Sequence, residues 1–289
     1  MKSLRKTKAV VTAVIVETLV MNNLKIGNLI NQCRSGDPLQ QIEAIHQLLD
    51  FETNLTLPVL IEMLKSTDTA VRTTAARVLG ELDITDSEKA GVALLDLLSD
   101  PEAIVRSEAV DTLGILGYAP AISAIKTLLV TDPEPLVRAS AAETLGDIGD
   151  ASAVAELEAA LGDPDNAVRA YAANSVGLLG RPSILPNLKS YLEDEQSPIV
   201  RAEIYGARYR LGAKEDLDAL LKLLETADEE MATNLLNIMN DLCSRCVPLN
   251  LAADGERIRV ALVMIEQRIP FLKTDARQVL THLTMAIGI

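Results

Sequence analysis

Two cysteines near the carboxyl end of the chain form the motif most capable of metal binding or redox chemistry. Cys243 and Cys246 stand in the sequence DLCSRCVP, with two residues between them. Such a pair can bind a metal or cycle between dithiol and disulfide, but a closed zinc site needs four ligands and a thioredoxin-type pair needs a strand followed by a helix. The alternatives are a metal or iron–sulfur cluster shared with another chain, or two small thiols without a ligand.

Few other side chains could carry out catalysis. The two histidines, His46 and His282, lie near opposite ends of the chain, and neither is followed by glutamate. The sequence has no phosphate-binding GxxxxGK[ST] motif, no dinucleotide-binding GxGxxG motif and no GxSxG motif. These observations favour a protein that binds a partner over an enzyme.

The dominant feature is an eighteen-residue pattern that occurs three times. The copies are DPEAIVRSEAVDTLGILG, DPEPLVRASAAETLGDIG and DPDNAVRAYAANSVGLLG, and they begin at Asp100, Asp132 and Asp163. In each copy an Asp-Pro pair, typical of a loop, precedes apolar residues at helical spacing. Glycine follows where a helix ends or approaches a neighbour closely. A second helical pattern separates the copies, so each unit is a pair of helices.

Weaker copies extend the series in both directions. The arginines of the pattern are Arg72, Arg106, Arg138, Arg169 and Arg201. Successive arginines are therefore about 32 residues apart. A repeat period of this length is typical of a solenoid, because one helical pair cannot bury its apolar face without a neighbour. The sequence predicts an all-α, right-handed solenoid of about seven helical hairpins. We expect the recurrent aspartates and arginines to pair between units.

The repeats divide the chain into three predicted segments. Residues 1–36 form an N-terminal helical cap, residues 37–240 the repeats, and residues 241–289 a C-terminal helical cap with the cysteine pair. The opening MKSLRKTK and the apolar run after it resemble a secretory signal without a cleavage site, so a capping helix or a start at Met21 are alternatives. With stacked helices about 8–10 Å apart, Cys33 lies too far away to join the pair within one chain.

The composition narrows the class of partner. The formal net charge is −14, and a surface this acidic disfavours nucleic acid and anionic membranes. The apolar run near the N-terminus is too short to span a bilayer. Three cysteines do not form a secreted disulfide framework. We therefore expect a cytoplasmic protein whose partner is another protein.

The pattern D-P-x3-V-R-x2-A-A-x2-L-G-x-L-G resembles the HEAT-like repeat of phycobilisome lyases over roughly residues 37–212. In that family the E/F-type lyases attach an open-chain tetrapyrrole to a phycobiliprotein cysteine or remove it, and usually work as two different solenoids. Other members are phycobilisome-degradation adaptors and a partner of an A-type iron–sulfur carrier protein. The activity of the related deoxyhypusine hydroxylase is excluded, because the His-Glu pairs of that enzyme do not occur in this sequence. The resemblance implies a cyanobacterial partner linked to the phycobilisome.

The resemblance also implies that the second helix of each pair lines a concave groove. Its exposed positions lie two, five and nine residues after the repeated arginine, with Arg208 nearby. The predicted partner groove consists of Arg77, Glu108, Asp111, Glu143, Asp147, Tyr171, Asn174, Glu203, Arg208 and Arg210. An acidic groove would steer a basic or mixed partner, although a simple solvated face is the alternative.

A phycocyanobilin-type bilin would need cations for its propionates, a carboxylate for its pyrrole N–H groups and apolar walls. Tyr171, Asn174, Glu203, Arg208 and Arg210 could supply them, but an aromatic content of 2% disfavours a dedicated chromophore pocket.

Together these observations predict a non-enzymatic scaffold or chaperone-like adaptor without a stably bound cofactor. Its groove would hold a protein linked to the phycobilisome, such as a phycobiliprotein subunit. One alternative is one subunit of a bilin lyase, which would act with a second HEAT-repeat subunit. The other is a partner of an iron–sulfur carrier that shares a cluster through Cys243 and Cys246.

Overall fold

The computed structural model describes residues 21–84, 87–245 and 251–287 of the chain. In these ranges the regular structure is helical and contains no β-strand, so the all-α prediction is confirmed. The predictions for residues 1–20 and for Cys246 concern residues outside the described ranges.

The described residues form sixteen α-helices in chain order. Their bounds are 21–35 (α1), Pro38–Gln47 (α2), Thr53–Met63 (α3), Thr69–Glu81 (α4), Glu88–Leu97 (α5), Ala103–Ile115 (α6), Ile122–Thr131 (α7), Pro135–Ile148 (α8), Val154–Ala160 (α9), Asn166–Leu179 (α10), Leu185–Asp194 (α11), Pro198–Arg210 (α12), Asp216–Thr226 (α13), Glu229–Ser244 (α14), Leu251–Arg268 (α15) and Lys273–Ile287 (α16). The chain divides into two compact units, unit 1 up to Ala121 and unit 2 from Ile122.

Unit 1 contains α1 to α6. Helix α4 packs against α2, α3 and α6, and α5 packs against α3 and α6. Side chains at the start of these helices satisfy backbone N–H groups: the Asp37 carboxylate accepts from the N–H of Gln40, and Asp68 accepts from the N–H of Val71. The core is aliphatic, and its fully buried residues include Ile45, Leu48, Leu60, Leu79, Leu94 and Leu113.

Unit 2 contains α7 to α16. The second helices of its hairpins, α8, α10, α12 and α14, pack on one another in succession, and α15 and α16 pack on the last hairpin. Small side chains allow this close stacking, since Ala141, Ala142, Ala172 and Ala173 are completely buried. Stacked helical hairpins of this kind define an α-solenoid, as the repeat period predicted.

The predicted pairing of acids and arginines between successive hairpins is confirmed at Arg72, Arg138 and Arg169. In unit 1, Nε of Arg72 lies 2.7 Å from a carboxylate oxygen of Asp100. In unit 2, Arg138 binds Asp163 at 2.8 Å and Arg169 binds Glu195 at 2.7 Å. Each of these guanidiniums also donates from Nη1 to two backbone carbonyls in the loop before its own helix. Each of these three arginines therefore joins two successive hairpins and fixes the loop between its own two helices.

The acid of each pair has a second role at the start of the following helix. Carboxylate oxygens of Asp100, Asp163 and Glu195 accept the backbone N–H of the residue two positions later. Burial raises the pKa of Asp163, but hydrogen bonds from Arg138 and from this N–H outweigh it, so the pKa lies below its ordinary value. At Glu195 the hydrogen bond from Arg169 is the main reason for a lowered pKa. Both carboxyls are therefore ionised at neutral pH.

Glycines of the repeat serve both purposes that the sequence suggested. Gly149 ends α8 with a φ of +84°, a left-handed conformation that other residues rarely adopt. Gly146 and Gly177 lie inside helices, where a Cβ would meet the neighbouring helix. A Cβ on Gly177 would lie 2.7 Å from the Cα of Ala207, so α10 and α12 touch backbone to backbone at this point.

We expect Gly177→Ala to destabilise the protein by about 1–3 kcal/mol, because α10 and α12 would have to separate to admit the methyl group. The matched control is Gly27→Ala in α1, where an added Cβ meets nothing within 4 Å. That change is expected to stabilise by up to about 1 kcal/mol, through helix propensity alone. Urea unfolding of both variants measures the difference, and a stabilising Gly177→Ala would contradict the close contact.

Candidate functional site

Unit 2 contains an open cavity of about 590 Å³, lined by residues of α8, α10, α12 and α14 and of the loop before α12. Most of its named polar groups are amides and carboxylates. The amides are Asn166, Asn174, Asn234, Asn237 and Asn240, and the carboxylates are Glu143, Asp147, Glu203 and Asp241. Tyr171, whose relative exposure is 39%, and Arg245 complete the functional lining. A surface of this composition suits a polar or cationic partner more than a lipid.

One amide group connects three helices at the base of the cavity. Nδ2 of Asn174 on α10 donates to Glu203 on α12 at 3.3 Å and to Asp241 on α14 at 3.1 Å. Nη2 of Arg210 lies 3.6 Å from Asp241, and the Arg210 side chain is almost fully buried. Two carboxylates are thus held side by side, with one amide and one guanidinium in contact with them.

The surroundings of Glu203 disfavour its charged form. Burial raises the pKa of this carboxyl to about 7, and the hydrogen bond from Asn174 opposes the rise. The charges of Asp241 and Glu143 raise the pKa further, whereas Arg210 lowers it. A glutamate that titrates near neutrality in an open cavity is a mark of a functional site, although structural networks also produce it.

Arg245 closes an ionic bridge across the cavity. It is the residue that ends α14, and its guanidinium contacts the carboxylate of Asp147 on α8. Its Nε also lies 3.1 Å from Asp241, one turn earlier on its own helix. About half of the side-chain surface of Arg245 and of Asp147 is exposed, so this bridge lies in contact with solvent.

Several predicted groove residues come together in this cavity. Glu143, Asp147, Tyr171, Asn174 and Glu203 line it, and Arg210 contacts it through Asp241. The helices α4 and α6 of unit 1 carry three others, Arg77, Glu108 and Asp111, of which the first two form an ion pair at 3.2 Å. Their role as part of a partner groove stays a prediction.

The structure corrects the placement of Arg208. Its side chain is buried, and Nε donates to the carboxylate of Asp216 at 2.8 Å while Nη1 contacts the carbonyl of Leu185. The reason is its register: Arg208 follows Arg201 by seven positions and so lies on the stripe of α12 that faces the core. Arg208 thus forms an internal ion pair with Asp216 and does not line the cavity.

Sequence reasoning missed the contribution of α14. The repeat signature is weak there, since Asn234 stands at the position of the repeated arginine. Asn234, Asn237 and Asp241 nevertheless follow the spacing of one helix face, and that spacing was the available signal. Arg245 lies one further turn along the same face.

The cysteine prediction is only partly within the described ranges. Cys243 is buried on α14, and burial raises the pKa of its thiol to about 11, so it is protonated at neutral pH. Among the residues that the structure describes, no group of three or more His, Cys, Asp or Glu side chains is arranged to hold a metal ion. A cluster shared through Cys243 and Cys246 stays a prediction, and it would require Cys243 to become exposed.

The stacked hairpins and the polar cavity define a helical-repeat protein of the solenoid class. A family model of HEAT repeats matches residues 26–114, 91–167 and 154–236, so the chain belongs to the HEAT-repeat family. No curated protein sequence matches the chain significantly. Within the described ranges, none of the helices combines the length and the hydropathy that a membrane span requires.

Several solved structures share this fold. The complex of CpcE and CpcF of phycocyanin lyase from Nostoc sp. PCC7120 is similar with a TM-score of 0.60 and 21% identity, over 79% of this chain and 94% of that chain. YibA of Escherichia coli has a TM-score of 0.53 and 18% identity, over 91% and 92% of the two chains. Importin beta also gives a TM-score of 0.53, with 16% identity over 92% of this chain and 43% of its own. At these identities the likeness concerns the fold.

Proposed function

We propose that this chain is a non-enzymatic HEAT-repeat adaptor that binds a segment of a partner protein in the cavity of unit 2. The observation that carries the proposal is the cavity itself, which opens between four successive repeat helices and has an exposed tyrosine beside amides and carboxylates. Tyrosine commonly anchors protein interfaces, and asparagine can bond both the N–H and the carbonyl of a bound main chain. We place this activity in the cytoplasm.

A phycobiliprotein subunit is the partner that we propose. Support comes from the likeness in fold to the phycocyanin lyase complex, and from the repeat sequence pattern, which resembles that of phycobilisome lyases. In this proposal the adaptor holds the subunit through polar contacts and leaves its covalent structure unchanged.

The test measures the affinity of a purified phycobiliprotein subunit, without chromophore, by isothermal titration calorimetry. Tyr171→Ala is expected to weaken binding by tenfold or more, the effect of losing about 1.4 kcal/mol at an interface anchor. The matched control is Phe271→Ala, which removes an exposed aromatic side chain of unit 2 that does not line the cavity. Equal affinities for the wild type and both variants would place the partner elsewhere, and absence of binding would exclude this class of partner.

A bilin lyase subunit is the second candidate, because the similar structure from Nostoc is a two-chain lyase complex. Arg208 is paired with Asp216 away from the cavity and the Arg210 side chain is almost fully buried, so the cavity groups that remain for a bilin are Tyr171, Asn174 and Glu203. The discriminating assay incubates phycocyanobilin and the subunit with this chain, alone or with a second HEAT-repeat subunit. The readout is the absorbance of bilin that stays attached to the subunit after denaturation. If this covalent attachment requires the chain, the lyase replaces the adaptor as the proposed function.

A further inference from the structure

We infer that the cavity is a receptor for an arginine or lysine side chain of the partner protein, and that Arg245 occupies this receptor until the partner displaces it. The inference rests on the proposed function, because it names the chemistry of the partner segment that the cavity takes.

The charge of the cavity supports a cationic guest. Among the residues that the structure describes, four carboxylates line it, Glu143, Asp147, Glu203 and Asp241, and Arg245 is the one cation of the lining. Arg210 adds a cation at the base, next to Asp241, and the balance is still negative. A concave wall of one sign of charge raises the local concentration of oppositely charged groups and selects among partners.

The contacts of Arg245 show how a guanidinium fits this receptor. It reaches from the end of α14 to Asp147 on α8, which lies 98 positions earlier in the chain, and contacts Asp241 at the same time. Two carboxylates on different helices are therefore already arranged around one guanidinium. A partner arginine would meet the same pair of acids and would also find the cavity asparagines for its main chain.

Arg245 differs from the arginines that hold the fold together. The side chains of Arg138 and Arg169 are only 11% and 16% exposed, and each bonds a carboxylate and two backbone carbonyls of its own loop. Arg245 is about half exposed and bonds only carboxylates in the contacts described above. Exposed ion pairs are weak, so an incoming cation can replace Arg245 without unfolding a hairpin.

The experiment uses the full chain and two probes, a fluorescently labelled tetra-arginine peptide and the uncharged tetra-citrulline peptide of the same shape. Affinity is measured by fluorescence anisotropy at pH 8 and physiological ionic strength. The wild type is expected to bind the arginine peptide in preference to citrulline. Arg245→Ala should bind it about tenfold more tightly, and Asp147→Asn about tenfold more weakly, since the first removes the competing guanidinium and the second removes one of its two carboxylate partners.

The matched control is Arg257→Ala, which removes an equal charge from an arginine of similar exposure in α15, paired with Asp218 and Asp254. If Arg245→Ala and Arg257→Ala alter affinity equally, only net charge matters and the inference fails. It also fails if Arg245→Ala weakens binding, since Arg245 would then belong to the site. Failure with the peptides while the phycobiliprotein subunit still binds in a Tyr171-dependent way would leave the proposed function intact.

Discussion

Replacing Arg138 by alanine is expected to destabilise unit 2 by about 3 kcal/mol, the lower end of the cost of leaving one partner of a buried ion pair without its counter-charge, because this pair is mostly but not fully buried. The side chains of Arg138 and Asp163 are only 11% and 10% exposed. The variant would also lose two hydrogen bonds from Nη1 to the carbonyls of Asp132 and Pro133, which fix the loop before α8.

The control for this prediction is Arg77→Ala, which breaks the pair with Glu108 on unit 1. That arginine is 53% exposed, and the expected cost is below about 1 kcal/mol. Urea denaturation followed by circular dichroism gives both free energies of unfolding. Similar losses in the two variants would show that the repeated pair contributes no more than a surface contact.

Glu203→Gln is expected to stabilise the protein at pH 8 by on the order of 3 kcal/mol. The reason is that the ionised carboxylate, which predominates at this pH, is less favourable in the folded chain than in the unfolded chain. Its pKa is about 7 in the folded chain against an ordinary value of 4.5. The folded state keeps the proton through this interval while the unfolded state loses it. Stability contributed by Glu203 therefore falls as the pH rises from 4.5 to 7 and stays low above it. The amide keeps the shape of the side chain and removes the titration.

Glu195→Gln is the matched control, since the same substitution there has the opposite expected sign. The pKa of Glu195 lies below 4.5, so its ionised form stabilises the fold above that value and the benefit is lost as the pH falls through the lowered pKa. Free energies of unfolding from pH 4.5 to 8 test both variants. A Glu203→Gln variant no more stable than the wild type at pH 8 would mean that the cavity solvates this carboxylate fully.

The repeat made much of the fold predictable from sequence. The pairing of Arg138 with Asp163 follows from the fixed spacing between repeats. The equivalent pair of Arg169 with Glu195 shows that glutamate can take the place of aspartate in this interaction. The same register explains why Arg208 is buried, although proximity in sequence to Arg210 suggested otherwise. Positions relative to the repeated arginine predict burial better than closeness along the chain.

The candidate site was less predictable, because about a third of its lining residues lie on α14 or at its end. That helix lacks the repeated arginine, and only its packing against α12 brings Asp241 and Arg245 to the residues of α8 and α10. Contacts between residues 98 positions apart cannot be deduced from a pattern with a period near 32. The division into two caps and a central repeat segment stays a prediction.

The double role of each repeated acid has a consequence for how the chain folds. Asp163 accepts from Arg138 of the preceding hairpin and from the N–H of Asp165 at the start of α10, and Glu195 does the same for Arg169 and the start of α12. A hairpin that has formed thus presents a cation that orients the very carboxylate on which the next helix begins. Nearest-neighbour coupling of this kind lets order spread in either direction among the hairpins that carry α8, α10 and α12, so cooperativity in this part of unit 2 arises from contacts between adjacent hairpins.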